Sequence, residues 1–309
     1  AFEAMRASGI EPHLLFLGNL RSPAGILNAR AKIGSAAKHF DLIHAQFGSA
    51  CALSSVGHGF PTIVSIRGSD WTPAYSRRPV GRAHAQLATR MTRFALPRAN
   101  GVVCVSHRLA REVQGFIPDA RIHVAPDPVD LQLFRPRDKA ESRRRLGLNP
   151  SSELVLFTSV DHRNPLKRVG LAHAAVERAR LEVPGVRLLI ASGRPHQEMP
   201  LLASAADGAL LTSVAEGWPN CVKEALACDV PFVATDVSDL QQIAQQDGRC
   251  HVVDATAESL GDALVETLTD PSPRTGLRRH VADMSFESFG QGLLQFYSEV
   301  LQGWGGNGL

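Results

Sequence analysis

Seven residues separate Glu216 from Glu224 in the phrase EGWPNCVKEALACDVP, the first followed by Gly-Trp-Pro-Asn and the second set in an alanine-rich run. An ionised carboxylate can accept two hydroxyl hydrogen bonds at once, which is the geometry a sugar diol offers. Between them, Pro219 suits the first position of a helix running to about Cys228. Free backbone N–H groups of the stretch Gly217–Cys221, which includes Trp218, Pro219 and Asn220, would then form an anion site, most naturally for phosphate. A phosphate between two such acceptors describes a nucleotide sugar. The spacing puts one glutamate before the helix and one about a turn inside it, which suits two contacts on an extended ligand better than a shared proton. On spacing alone, a plainer alternative is equally open: Glu216 as a favourable acid near a helix start and Glu224 as surface charge.

A loop and helix of this kind must be delivered by a strand, and GALLTS (208–213) reads as one. Similar short apolar runs recur. HLLFLG (13–18), DLIHAQ (41–46), TIVSI (62–66), GVVCVS (101–106) and RIHVAP (121–126) precede a charged stretch at 135–150. ELVLFTS (153–159), RLLIAS (187–192), PFVATD (231–236) and HVVD (251–254) follow it. Such runs predict strands buried on both faces of a parallel sheet. Segments of helical period lie between them, among them KRVGLAHAAVERARLEV with apolar residues at 169, 171, 172, 175, 176 and 179. The alternation predicts an α/β fold of two doubly wound Rossmann-like domains, with ligands in a cleft outside the strand ends. The expected boundaries are 1–137, 138–284, and a C-terminal helix and tail over 285–309, free to pack on either domain.

Composition sets the outer bounds. The chain has 309 residues, 44% of them hydrophobic, with 19 prolines and 26 glycines, enough for two domains with cores of their own. A net charge of +3 gives no reason to expect a nucleic-acid partner. Five cysteines without CxxC spacing read as reduced core thiols in a cytoplasmic protein. No run approaches the roughly 18 apolar residues of a membrane span, and no signal peptide is recognisable. The first residues, AFEAMRASG, read as helix with no strand before them, so the natural start is expected to lie upstream.

The run AADGALLTSVAEGWPNCVKEALACDVPFVATDVSDL (205–240) closely resembles the E-x7-E segment of family 4 glycosyltransferases, retaining enzymes of the GT-B fold. DLIHAQFG (41–48), VSIRGSDW (64–71), VCVSHRLAREV (103–113), PDPVDLQLF (126–134) and HRNPLKRV (162–169) follow the same family in order, so the likeness covers Glu11 to about Leu268. The E-x7-E context is highly specific, whereas each of the other phrases alone is weak. The resemblance implies that Glu216 contacts hydroxyls of the donor sugar and Glu224 the nucleotide ribose. Lys167 matches the lysine that neutralises the donor diphosphate, a catalytic role because charge grows there as the bond breaks, without a metal ion or other cofactor. For the arginine usually paired with it, Arg163 is assigned, one or two places from the family position. Backbone groups around SGRPH (192–196) are expected near the base, with Arg194 either among them or a solvated loop residue.

Two departures stand out. No glycine-rich loop of the kind that follows the family's first strand precedes AFEAMRASGIEP, and RGSD replaces the frequent HGSD, putting Arg67 where a histidine often approaches the reacting sugar. Arginine holds anions but is no general base at neutral pH. Asp70 is either an acceptor contact or the cap of a turn, and His44 and His107 read as structural more readily than as ligands, His44 being expected on the acceptor side with Arg67 and Asp70. Residues 77–98 carry six arginines and no acid, with apolar residues at 80, 83, 87, 91 and 94. They read as an ordinary domain helix with a solvated face, the second reading being peripheral contact with the inner membrane. The expected function is transfer of a hexose from a nucleoside diphosphate sugar to a saccharide or lipid-linked acceptor in cell-surface polysaccharide or glycoconjugate synthesis. The rivals are a truncated, inactive relative that binds nucleotide sugar, a bilobal sugar-binding protein and a sugar-nucleotide epimerase.

Overall fold

The computed structural model describes residues 2–72, 79–159, 161 and 164–304. The chain forms two compact units, one of Ala1–Asp127 with Phe286–Leu309 and the other of Pro128–Ser285. The division therefore falls at 127/128, ten residues before the expected 137/138, inside the phrase PDPVD.

In the first unit, α1 (Phe2–Ala7) and α2 (Pro23–Ala36) precede β1 (Ile43–Ala45), α3 (Ser49–Ser55), β2 (Thr62–Ile66), α4 (Pro79–Ala95), β3 (Gly101–Cys104), α5 (His107–Phe116) and β4 (Ile122–Val124). The strands make one parallel sheet in the order β1-β2-β3-β4. Every residue of β2 and β3 is buried, which is why both read as unbroken apolar runs rather than alternating ones. Helix starts follow local chemistry: Ser22 Oγ accepts from Gly25 N–H at 3.1 Å, and Ser106 Oγ from Leu109 N–H at 3.3 Å.

The expected strand at 13–18 does not form. Residues 10–20 have neither helix nor strand, and Leu14 and Phe16 are exposed. An apolar run becomes a strand only where a neighbour takes its backbone hydrogen bonds, and among the described residues the sheet ends at β1. Helix α4 also differs from an ordinary amphipathic domain helix. It turns Ala85, Thr89, Thr92 and Ala95 inward, against the small residues of α3, while Val80, Leu87 and Phe94 stay exposed. Thr92 fixes this orientation, its hydroxyl accepting from Ser49 N–H and donating to Asp70 O, each at 2.7 Å.

The second unit runs α6 (Lys139–Leu146), β5 (Leu154–Thr158), α7 (Val169–Ala179), β6 (Arg187–Ala191), α8 (Met199–Ala205), β7 (Gly208–Leu211), α9 (Asn220–Ala227), β8 (Phe232–Thr235), α10 (Leu240–Gln246), β9 (His251–Val253) and α11 (Ala257–Thr269). Its parallel sheet has the order β6-β5-β7-β8-β9. Helix α7 buries Ala172, Ala175, Val176 and Ala179 of its apolar stripe against α11 and the sheet. The amino-terminal end of β7 is held by Asp207, which bonds Arg143 and Leu154 N–H at 2.5 Å and Lys139 at 3.1 Å. Asp207 and Arg143 are both buried, and a buried charge needs such a partner.

The last helix, α12 (Phe286–Trp304), belongs to the first unit. Leu293, Phe296, Tyr297 and Val300 form one core with Met5, Ile63, Val103 and Ala125. Gly101, the first residue of β3, permits the approach: a Cβ there would stand 2.7 Å from Phe296 Cζ and 3.0 Å from Val300 Cγ2. Gly303 and Trp304, expected in the tail, are helical, and 305–309 lie outside the described residues.

Candidate functional site

In the second unit the chain leaves β5 for β6 on one side and later returns to β7 on the other. The loops after β5 and β7 therefore diverge at a topological switch point, where open α/β sheets hold their ligands. Lys167 lies in a turn of 3₁₀ helix after β5, Pro165–Lys167, started by Asn164, whose side chain accepts from Leu166 N–H at 3.0 Å. Glu216 lies in the loop after β7. The two meet: Lys167 Nζ donates to Glu216 Oε1 at 2.5 Å, and Ser213 Oγ donates to the same oxygen at 2.6 Å. Both side chains remain partly exposed, 25% for the lysine and 18% for the glutamate, so the pair is reachable from solvent.

Backbone and side-chain bonds lock the two loops together. Val214 N–H donates to Leu166 O at 2.9 Å, and Thr212 Oγ1 donates to Lys167 O at 2.6 Å. In return, the Arg168 guanidinium donates to Thr212 O at 2.5 Å and Ser213 O at 2.9 Å. Arg168 has φ 49 and ψ 50, a left-handed conformation that an L-residue with a side chain adopts only under compensation. Farther along, Ser238 Oγ donates to Gly217 O at 2.6 Å, fixing the approach to α9.

Helix α9 begins at Asn220, and Pro219, at φ −73 and ψ 112, is its N-cap rather than its first residue. The extended ψ explains the shift of one position. Val222 N–H and Lys223 N–H donate to Pro219 O at 3.1 and 3.3 Å, so it is the amides of Asn220 and Cys221 that precede any helical carbonyl, and this positive end lies between Glu216 and Glu224. Glu224 is partly buried on α9, and burial raises its pKa to about 7 against the opposing pull of the Lys223 charge. Lys223 is itself buried, its ammonium 5.5 Å from the centre of the Trp218 ring. Trp218, expected at the nucleotide, sets its side chain into the core with Val222 and Leu226, because a large indole gains more there than in a wet loop. Cys221 is a free thiol that burial pushes up to about 12. Arg194 is exposed and pairs with Glu198, four residues on, at 3.5 Å. Arg163 lies outside the described residues, as does His162.

The three residues expected on the acceptor side are in the first unit. Asp70 is fully buried: Oδ1 accepts from Arg67 N–H and Gly68 N–H, each at 2.9 Å, and Oδ2 from Gly48 N–H at 2.8 Å. This is the turn-capping alternative, and it leaves the carboxylate no face for an acceptor. His44 spends both ring nitrogens on Tyr297 Oη at 2.5 Å and Ser65 Oγ at 2.8 Å, and burial, aided by the Arg67 charge, lowers its pKa to about 3. It is neutral and structural. Arg67 pairs with Asp127 and donates to Gln46 O at 3.0 Å. His107 is exposed at the start of α5.

Two parallel-sheet α/β units define a protein of the GT-B class of two Rossmann-like domains. The Glycosyltransferase Family 4 model matches residues 2–133 and the Glycosyl transferases group 1 model residues 164–270; the chain belongs to the family 4 glycosyltransferases. D-inositol 3-phosphate glycosyltransferase of Segniliparus rotundus is 30% identical over 217 residues, 59% of this chain and 48% of that protein. The protein of the same description from Mycobacterium bovis is 30% identical over 221 residues, 59% of this chain and 44% of its own. The chain thus spans about half the length of these curated relatives. Among solved structures, sucrose-phosphate synthase from Thermosynechococcus elongatus superposes with a TM-score of 0.69 at 18% identity, covering 91% of this chain and 79% of that one. HepE of Anabaena, in complex with UDP and glucose, gives 0.66 at 17% identity over 96% and 88%.

Proposed function

We propose that the chain acts as a retaining glycosyltransferase, moving a hexose from a nucleoside diphosphate sugar to a saccharide or lipid-linked hydroxyl. Its place would be in cell-surface polysaccharide or glycoconjugate synthesis, in the cytoplasm with peripheral contact at the inner membrane face. The observation that carries the reading is the Lys167–Glu216 pair, 2.5 Å apart and braced by Ser213 at the switch point of a doubly wound sheet. Family membership and the UDP and glucose held by HepE, a protein of the same fold, support it.

In this reading the diphosphate lies against the first turn of α9 with Lys167 beside it. As the bond from the anomeric carbon to the phosphate oxygen breaks, negative charge collects on that oxygen, and the ammonium strengthens its hold without a metal ion. Glu216, freed from the lysine as phosphate takes its place, accepts from the sugar hydroxyls, and Glu224 accepts from the ribose. The acceptor oxygen bonds the anomeric carbon on the face the phosphate leaves, and the leaving oxygen takes the acceptor proton. That step asks for no protein base, consistent with His44 and Asp70 both being committed to structural bonds.

Release of nucleoside diphosphate from candidate sugar donors tests the proposal. Lys167→Ala and Glu216→Ala are each expected to lower kcat/KM by at least about 100-fold, the scale of losing one charge-stabilising group, with circular dichroism unchanged. Normal turnover in both variants would remove the assignment.

A further inference from the structure

Helix α4 (Pro79–Ala95) leaves an apolar stripe in solvent. Val80 is 81% exposed, Leu87 50% and Phe94 53%, with Ala83 and Met91 on the same line at helical spacing. Met91 is half-buried, while the contact with α3 is made by the opposite face of alanines and threonines. Exposed Arg90 borders the stripe, and Arg98, just past the helix end, stacks its guanidinium 3.8 Å from the Phe94 ring centre, while Arg82 is exposed on another side of the helix. Arg93 instead points back over Trp71 and Phe116 of its own unit, at 5.1 and 5.7 Å. No Asp or Glu occurs from 79 to 98, and on neighbouring α5 the acid Glu112 is engaged by Trp71 Nε1 at 3.0 Å.

An exposed apolar line flanked by cations has the chemistry of a bilayer interface: acyl chains take the leucine and phenylalanine while anionic headgroups take the guanidinium groups. We propose that this face of α4 docks the protein on an anionic lipid surface. Charge complementarity selects that occupant, because a second copy of the same face would set arginine against arginine. The surface would bring the proposed transferase to a lipid-linked acceptor and in that respect rests on that reading. Binding is measured without donor or acceptor, so either proposal can fail alone.

Co-sedimentation of the full chain with phosphatidylcholine vesicles, with and without phosphatidylglycerol, supplies the test. Binding is expected only with the anionic lipid. It should weaken about fivefold for each arginine removed in Arg90→Gln/Arg98→Gln, and at least about tenfold in Leu87→Ser/Phe94→Ser. Thermal melts should match the parent, since all four side chains are exposed. Equal binding to neutral vesicles, no binding to anionic ones, or variants that bind like the parent would each overturn the proposal. So would a dimer in solution that Leu87→Ser/Phe94→Ser dissociates while vesicle binding is absent.

Discussion

Glu224 sits on the first turns of α9, where loss of solvent holds its carboxyl proton to about pH 7, while an unfolded chain releases it near 4.5. The folded state binds the extra proton between those values, so this residue makes stability fall as pH rises from 4.5 to about 7. Glu224→Gln should therefore melt higher than the parent at pH 8, with the difference closing below pH 4.5. Titrated melts that run parallel at every pH would show that the carboxyl is not held up by burial. Nucleotide affinity should move the other way in the parent, rising through pH 7 as the carboxylate forms, if Glu224 accepts from a ribose. At this scale the sequence disclosed Glu216, Glu224 and Lys167, because their types and phrases carry chemistry by themselves. It did not disclose Ser213, which reads there as the end of a strand, and it left Asp70 open between a cap and an acceptor contact. What decides Asp70, and what makes His44 structural, includes bonds to partners 22 and 253 residues away.

Between residue and domain, the element that matters is the clamp joining the Lys167 turn to the end of β7. Arg168 keeps a left-handed backbone because its guanidinium reaches two carbonyls there. Arg168→Gly and Arg168→Ala both lose those bonds, but only glycine is relieved of the backbone strain. In urea unfolding the alanine variant should be the less stable of the two by about 1 kcal/mol, the cost of a left-handed residue bearing a Cβ. The opposite order would mean that the turn relaxes and is not clamped. Strands β1 to β9 were all readable from their apolar runs, the central β2, β3, β7 and β8 being buried along their whole length in parallel sheets. HLLFLG carried the same signal and failed for want of a ladder partner, which no run of residues can announce about itself. Helix α4 was readable as a helix and misread as to its facing, because close packing on α3 favoured alanine and threonine over larger apolar residues.

For the whole molecule, the informative feature is that α12 completes the first unit after the second has been traversed. Gly101→Val would drive a side chain into Phe296 and Val300 and should destabilise the first unit by roughly 1–3 kcal/mol, the usual range for overpacking. Limited proteolysis should then open sites within residues 1–127 sooner, leaving 128–285 at parental resistance. Equal protection of both units would show that α12 is not what closes this core. The two-domain plan was visible in the repeated strand–helix alternation, while the destination of the last helix was not, since its stripe suits any apolar surface.

That return has a consequence for how the protein is made. Residues 128–285 leave the ribosome as one uninterrupted stretch and can complete their core as soon as they emerge. The amino-terminal unit is synthesised before it yet must wait for Leu293, Phe296 and Val300, which follow the second unit in the chain, before Ile63 and Val103 are covered. The order of translation and the order of folding are thus reversed, and in the interval it is the older half of the nascent chain that is exposed to chaperones and to aggregation.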